Sequence, residues 1–178
     1  KLAASTYQKW LEAVDTPDEK AHLLKKLIVL FEELSNHKQL DDAIEKLLKY
    51  VPDYGKDETS SIPEFAFPSP EVEQARILYT LGRQEGNPDL LLRAALRVEE
   101  QTPSIAQTCL LQGLELEPFS PKIWHFRLER SEELQRPGIW KQLSEQFKKT
   151  EIEETHVEQL NEFFDQLGAL TPKTEELG

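Results

Sequence analysis

The chain has 178 residues, a single cysteine and a formal net charge of −12. One cysteine cannot form an internal disulfide, which excludes a disulfide-stapled secreted scaffold. Phosphate backbones and anionic lipids require a cationic field, so we expect no direct nucleic-acid binding and no membrane insertion. The acidity favours another protein as the partner, through a basic or amphipathic segment, although it would also simply keep a helical surface soluble.

The unpaired Cys109 and the lack of a signal-like N-terminus favour the cytoplasm, with the nucleus as the alternative. The longest strongly apolar run, residues 27–31, is far too short to span a bilayer. The sequence begins at Lys1 and contains no methionine. We therefore expect a processed or excised fragment of a larger protein.

Residues 1–50 are predicted to form an N-terminal helical block of three helices. The first covers 5–14, with an apolar stripe that includes Tyr7, Trp10 and Val14. The second opens at Thr16-Pro17, with acidic residues where the helix dipole is positive. The third runs from about 40 to 50 after a polar break.

Residues 51–69 are predicted to be an irregular linker. Prolines and a glycine interrupt the helical pattern, and the polar stretch 56–61 has no apolar stripe to bury. Such a long connection is either mobile or packs through Ile62, Phe65 and Phe67. It is interpreted either as a binding loop or hinge, or as a plain connection between two lobes.

Residues 70–170 are predicted to form a C-terminal helical-repeat block, followed by a flexible tail at 171–178. Six helices are expected, at about 70–85, 88–100, 103–116, 121–134, 137–149 and 153–167. The last is expected to cap the block with Val157, Leu160, Phe164 and Leu167. No alternating strand pattern competes, so the predicted fold class is all-α, with about nine helices.

Prolines mark most of these helix starts. At the first helical position proline loses nothing, because that backbone N–H has no intrahelical partner. From Pro70 onward, alternate starts are 33, 33 and 34 residues apart, which indicates a repeat of helix pairs. The prolines, five of them after a capping residue, are Thr16-Pro17, Ser69-Pro70, Asn87-Pro88, Thr102-Pro103, Ser120-Pro121 and Arg136-Pro137.

This rhythm resembles the tetratricopeptide repeat, or the related half-a-tetratricopeptide repeat, in which bulky, small and proline residues recur at fixed offsets. A partial copy has Leu27, Leu30 and Ala43. The resemblance implies antiparallel helix pairs that form a right-handed α-solenoid, either in two lobes or as a single bent one. The better copy is carried by Leu90, Ala94, Ala106, Gly113, Pro118 and Trp124.

The resemblance also implies a concave groove lined by the first helix of each pair. Its residues are apolar flanked by acidic, which suits a basic amphipathic helix or an extended peptide. Leu91 and Val98 belong instead to the core if the register differs by one residue. The predicted groove residues are Lys25, Ile28, Glu32, Leu91, Ala95, Val98, His125, Glu129 and Glu132.

The implied function is a non-catalytic protein-interaction scaffold, adaptor or assembly factor. The alternative, implied by half-a-tetratricopeptide proteins, is a helical-repeat subunit of an RNA-processing complex. Arg93 and Arg97 lie one turn apart, and Arg76 and Arg83 two turns apart. These arginines would either grip carboxylates of a partner or pair with the nearby Glu73, Glu99 or Glu100.

No residue pattern predicts an enzyme, a metal site or a cofactor. Glu19-x-x-His22 and Glu153-x-x-His156 have the spacing of carboxylate-bridged metal sites. Both, however, fall in the first turns of helices among charged residues. Cys109 lies on an apolar helix with no neighbouring base, so we expect a core residue.

Overall fold

The computed structural model describes residues 1–167, and every regular element in that part of the chain is helical. Short 3₁₀ turns at Pro63–Ala66 and Glu133–Gln135 supplement the α-helices. The all-α fold class is therefore confirmed for these residues, while the predicted tail at 171–178 lies outside them. Within residues 1–167 the nine α-helices are α1 (Leu2–Ala13), α2 (Pro17–Glu33), α3 (His37–Tyr50), α4 (Pro70–Gln84), α5 (Pro88–Val98), α6 (Pro103–Leu116), α7 (Pro121–Arg130), α8 (Arg136–Lys149) and α9 (Glu154–Asp165).

Local capping explains most of the helix starts. The side chains of Thr16, Ser69, Asn87 and Ser120 each accept a hydrogen bond from a backbone N–H in the first turn of the following helix. Two starts differ from the prediction by three residues, while α8 and α9 begin within one residue of it. Asn36 caps α3 at His37, three residues early, and α1 begins at Leu2 rather than at 5.

The chain divides into two compact units, Lys1–Cys109 and Leu110–Gly178. We refer to these as the first unit and the second unit. The division falls within α6, whereas the helical pattern of the sequence suggested blocks at 1–50 and 70–170 around the linker. Within residues 1–167, no helix combines the length and the apolar character needed to cross a membrane.

In the first unit, consecutive helices pack against each other, α1 on α2, α2 on α3 and α4 on α5, and α5 also contacts α2. Helices α4 and α5 approach each other closely at Gly82, where a Cβ would lie 2.8 Å from Leu91 Cγ. The core of this unit is aliphatic. Its largest fully buried side chains are Leu24, Leu27, Ile28, Leu40, Ile44, Leu47, Ile77, Leu78, Leu81 and Leu90.

Ion pairs connect α5 to the preceding helices. Arg93 donates two hydrogen bonds to Glu32 on α2, with Nε–Oε2 at 3.0 Å and Nη2–Oε1 at 3.2 Å. Arg97 pairs with Asp41 on α3. The two arginines are therefore paired within the chain, with partners that are distant in sequence.

The segment 51–69 packs against α4. Arg76 of α4 donates from Nε to the carbonyl oxygen of Tyr54 at 3.0 Å and from Nη2 to that of Pro52 at 2.9 Å. Gly55, at φ +81°, lies so close to α4 that a Cβ would meet Thr80 Oγ1 at 2.2 Å. The segment was expected either to be mobile or to pack, and the structure shows it packed against α4.

Aromatic side chains complete the packing of this segment. Phe65 is buried, with its ring 5.3 Å from that of Tyr79, whereas Phe67 is mostly exposed. Tyr54 donates to Gln84 Oε1 at 2.7 Å. Burial, followed by the charges of Glu58 and Glu85, raises the pKa of Tyr54 well above its usual value.

The second unit has an aromatic core in which α7 contacts α8 and α9. Trp140 packs against Phe163 with ring centroids 5.7 Å apart. The predicted inner face of α9 is wrong in part, because Val157 and Phe164 are about half exposed while Phe163 is buried. The helix therefore presents a face rotated by about one residue from the predicted one.

Candidate functional site

The apolar residues of the predicted groove lie in the core of the first unit. Ile28, Leu91, Ala95 and Val98 are fully buried, so they offer no surface to a partner. For Leu91 and Val98 this agrees with the alternative interpretation that they belong to the core. The predicted apolar floor of a groove is therefore not an open surface in this unit.

The charged residues predicted for the groove have partners within the chain. In the first unit, the Lys25 ammonium lies 4.3 Å from the centre of the Tyr54 ring, and Glu32 pairs with Arg93. In the second unit, His125 Nδ1 lies 3.6 Å from Glu129. Glu132 takes part in a capping box at the start of the turn Glu133–Gln135. Intramolecular contacts thus explain these charges without a partner.

An apolar cleft with acidic residues is found elsewhere in the first unit, where α1 meets the start of α2. The Thr16 side chain accepts from the Glu19 N–H at 3.3 Å and donates to Glu19 Oε2 at 2.8 Å. This cap fixes the first turn of α2 beside the end of α1. We call the resulting cleft, of about 400 Å³, the Trp10 cleft; its lining residues are Trp10, Val14, Asp18, Glu19, His22 and Leu23.

Trp10 is the most unusual residue of this cleft. Its side chain is 54% exposed, although the sequence assigned it to the buried stripe of the first helix, and that prediction is wrong. Trp124 and Trp140 are both buried. Tyr7 packs edge-on against the Trp10 ring, with the centroids 5.6 Å apart, so the indole is held in place at the surface.

Two carboxylates accompany this exposed indole. Asp18 and Glu19 are exposed, and neither forms an ion pair within residues 1–167. In the first turn of α2 these carboxylates interact favourably with the positive end of the helix dipole. This explains the acidic residues but not the exposed tryptophan. An aromatic face beside unpaired carboxylates is the environment that a lysine or arginine side chain prefers.

The glutamate–histidine pairs have other roles than metal binding. Backbone N–H of Glu153 donates to His156 Nδ1 at 3.1 Å, as part of a capping box for α9. Glu19 is engaged by Thr16 in the cap of α2. Across residues 1–167, no group of three or more histidine, cysteine or acidic side chains is placed to hold a metal ion.

Cys109 is a buried core residue. Burial raises the pKa of its thiol to about 12, because the apolar surroundings disfavour the thiolate. Since the thiolate is the reactive form, Cys109 does not have the environment of a nucleophile at neutral pH.

Comparison with known proteins identifies no relative: no family model matches the chain, and neither a curated protein nor a solved structure matches it significantly. The tetratricopeptide resemblance therefore stays a prediction that rests on the residues quoted for it. The case for function rests instead on the geometry of the first unit, and above all on the Trp10 cleft.

A sequence signal for this cleft was present but ambiguous. Trp10 and Val14 lie at helical spacing, as core residues also do, and Asp18 and Glu19 form an ordinary helix start. The two patterns adjoin along the chain, which is the only hint that they share a surface. Whether α1 buries or exposes its tryptophan depends on how much of α1 the neighbouring helix covers.

Proposed function

We propose that this chain is a non-catalytic protein-interaction scaffold, an adaptor or assembly factor of the cytoplasm, and that the Trp10 cleft binds a basic segment of a partner protein. The observation that supports this most directly is the half-exposed Trp10 beside Asp18 and Glu19, neither of which forms an ion pair within residues 1–167. The net charge of −12 adds a long-range attraction for a basic partner.

The cleft fits the two parts of a lysine or arginine side chain. The aliphatic stem packs against Trp10, Val14 and Leu23, and the charged head reaches Asp18 and Glu19 at the rim. A cation over an exposed indole contributes about 0.5–1 kcal/mol, and each exposed charge pair contributes about 0.2–1 kcal/mol. A single side chain therefore binds weakly, and useful affinity requires several contacts along a helix or an extended peptide.

We also propose that the helix pairs belong to a right-handed α-solenoid of the tetratricopeptide type. The close approach of α4 and α5 at Gly82 supports this, because such repeats place small residues where paired helices meet. The partner site that we propose differs from the predicted groove, whose apolar residues are buried. It lies at the α1–α2 junction.

Tryptophan fluorescence provides a direct test. Trp10 is exposed and the other two tryptophans are buried, so acrylamide quenching reports mainly on Trp10. The probe is a synthetic amphipathic helix of leucine and lysine, compared with a peptide in which every lysine is replaced by glutamate. We expect the lysine peptide to protect Trp10 from acrylamide and the glutamate peptide to leave quenching unchanged.

Variants that neutralise the two carboxylates test whether the lysine peptide binds at the Trp10 cleft. Asp18→Asn with Glu19→Gln should weaken binding of the lysine peptide roughly fivefold, the equivalent of about 1 kcal/mol. The matched control, Asp42→Asn with Glu45→Gln, removes two exposed charges from α3 and should change affinity less than twofold. If both double variants weaken binding equally, net charge explains the affinity and the Trp10 cleft is refuted as the site.

A further inference from the structure

A second cleft, of opposite character, lies between the segment 51–69 and α4. It has a volume of about 460 Å³ and belongs wholly to the first unit. Arg76 lines it from α4, and the segment supplies both polar and apolar walls. We call it the Arg76 cleft; the lining residues used below are Lys56, Pro63, Ala66, Phe67, Glu73 and Arg76.

The guanidinium of Arg76 is buried with only part of its hydrogen-bonding capacity used. The residue is 3% exposed, and its Nε and Nη2 atoms donate to the carbonyl oxygens of Tyr54 and Pro52. A guanidinium has five N–H donors. Within residues 1–167 its Nη1 atom has no hydrogen-bond partner, which leaves the Nη1–Nη2 edge available for a two-point contact.

The positive charge of Arg76 has only a distant counter-charge in Asp53, whose pKa it helps to lower after the larger effect of Lys56. No carboxylate in the described part of the chain forms an ion pair with it. A buried charge without a counter-ion is unfavourable, and a carboxylate with good geometry relieves that penalty. Backbone carbonyls satisfy two donors but bring no net negative charge.

Two other charged residues, Lys56 and Glu73, line this cleft. Lys56 pairs with Asp53, and that hydrogen bond lowers the pKa of Asp53. Glu73 lies three residues before Arg76 on α4 and lines the same cleft, so its charge opposes an incoming anion. Glu73 is exposed, and its repulsion is therefore screened by solvent more than the attraction of the buried Arg76.

Part of the lining of the cleft is apolar. Phe67 is 63% exposed there, with Pro63 and Ala66 beside it. Phe65, two residues earlier, is buried against Tyr79 and anchors this stretch. An exposed phenylalanine beside a buried arginine suits a ligand that joins an apolar group to an anion.

We propose that the Arg76 cleft binds an acidic segment of a partner protein, with one aspartate or glutamate carboxylate on the Nη1–Nη2 edge of Arg76 and an adjacent apolar side chain against Phe67. This site is independent of the Trp10 cleft, since it selects the opposite charge. The unit thus presents two surfaces for partner segments of different chemistry.

The test compares two capped dipeptides, acetyl-Phe-Glu-amide and acetyl-Phe-Gln-amide, which differ only in the carboxylate. Each is titrated to about 10 mM, above the millimolar Kd expected for so small a ligand, and followed by ¹H–¹⁵N NMR. We expect the glutamate peptide to shift the Arg76 Nε–H and the backbone amides of Ala66 and Phe67. Equal shifts with the glutamine peptide, or no shift at these signals, would overturn the proposal.

Surface variants provide controls that leave the packing of Arg76 intact. Glu73→Gln removes the opposing charge and should tighten binding of the glutamate peptide two- to threefold. Glu71→Gln, in the same first turn of α4 but outside the cleft, should leave it unchanged. Phe67→Ala should weaken it at least threefold. If Glu73→Gln and Glu71→Gln behave alike and Phe67→Ala has no effect, the peptide is not bound in this cleft.

Discussion

Replacing Gly55 by alanine tests how the segment 51–69 is held on α4. Gly55 has φ +81°, and its added Cβ would lie 2.2 Å from Thr80 Oγ1 and 3.2 Å from Arg76 Cγ. No side chain tolerates the shorter distance, so the segment must move away from α4. That movement also weakens the two hydrogen bonds from Arg76 to the segment.

The expected loss of stability combines two contributions. A left-handed backbone costs an alanine about 1–2 kcal/mol, and the overpacking against Thr80 adds about 1–3 kcal/mol. Gly55→Ala should therefore destabilise the protein by about 3 kcal/mol, or roughly 6–12 °C in Tm for a chain of this size. Gly86→Ala is the matched control, because Gly86 has φ +60° but no neighbour within 4 Å, and it should cost only the backbone contribution.

A second substitution, at Thr80, separates the energetic cost of the steric clash from that of the left-handed backbone. Thr80 Oγ1 is buried and has no hydrogen-bond partner within the described residues, so Thr80→Ala alone should cost little. Combined with Gly55→Ala, it should restore about half of the lost stability, because it removes the atom at 2.2 Å. Thr80→Ser keeps the hydroxyl and should not restore it.

Thermal unfolding by circular dichroism measures the global effect, and amide hydrogen exchange of peptides from 51–62 measures local release of the segment. We expect faster exchange there for Gly55→Ala and not for Gly86→Ala. Equal destabilisation by the two glycine variants would refute the close contact with α4. So would equal rescue by Thr80→Ala and Thr80→Ser.

Three further predictions concern helix packing, the α2–α5 ion pair and the cysteine. Gly82→Ala should destabilise the protein by about 1–3 kcal/mol through overpacking. Gly138→Ala lies on α8 with open space around its Cβ position, so it should be neutral or stabilise the protein by up to about 1 kcal/mol. Denaturant titration measures the free energy of unfolding of both variants. Glu32→Gln should lower the free energy of unfolding by about 1–3 kcal/mol, because the ion pair is largely buried, with Glu32 10% and Arg93 24% exposed. The same variant should show a weaker dependence of stability on salt. Cys109 should resist thiol reagents at pH 8 in the folded protein and react on unfolding. Because its folded pKa of about 12 exceeds the unfolded value near 8.5, stability should fall as the pH rises between these two values. Cys109→Ala should remove the contribution of the thiol to that fall and leave the contribution of Tyr54, whose pKa is also raised.

How far the fold can be predicted from the sequence differs between helix ends and helix faces. Pro17, Pro70, Pro88 and Pro121 begin helices as predicted, because proline and the preceding cap act within one turn of backbone. The faces were less predictable. On α9, Phe163 and Phe164 are equally apolar, and only the packing against α7 and α8 decides which one is buried.

The residues of the two clefts likewise have local patterns that the sequence predicts and an exposure that it does not. Trp10 at helical spacing predicts a core residue, yet it is exposed because α1 is covered on too little of its surface. The sequence predicts for Arg76 either a contact with partner carboxylates or pairing with a nearby glutamate, and it does not predict burial. Its burial depends on backbone carbonyls of the segment 51–69, a contact over more than twenty residues that no local pattern encodes.

The all-α character of the described residues and most of the helix starts follow from local sequence, since capping, proline geometry and apolar periodicity act over a few residues. Which of the apolar and charged residues are available to a partner depends on tertiary packing. It buried Leu91 and Val98, paired Glu32 with Arg93, and left Trp10 at the surface. Exposure is set by which neighbouring helices cover a face, and those neighbours come from elsewhere in the chain.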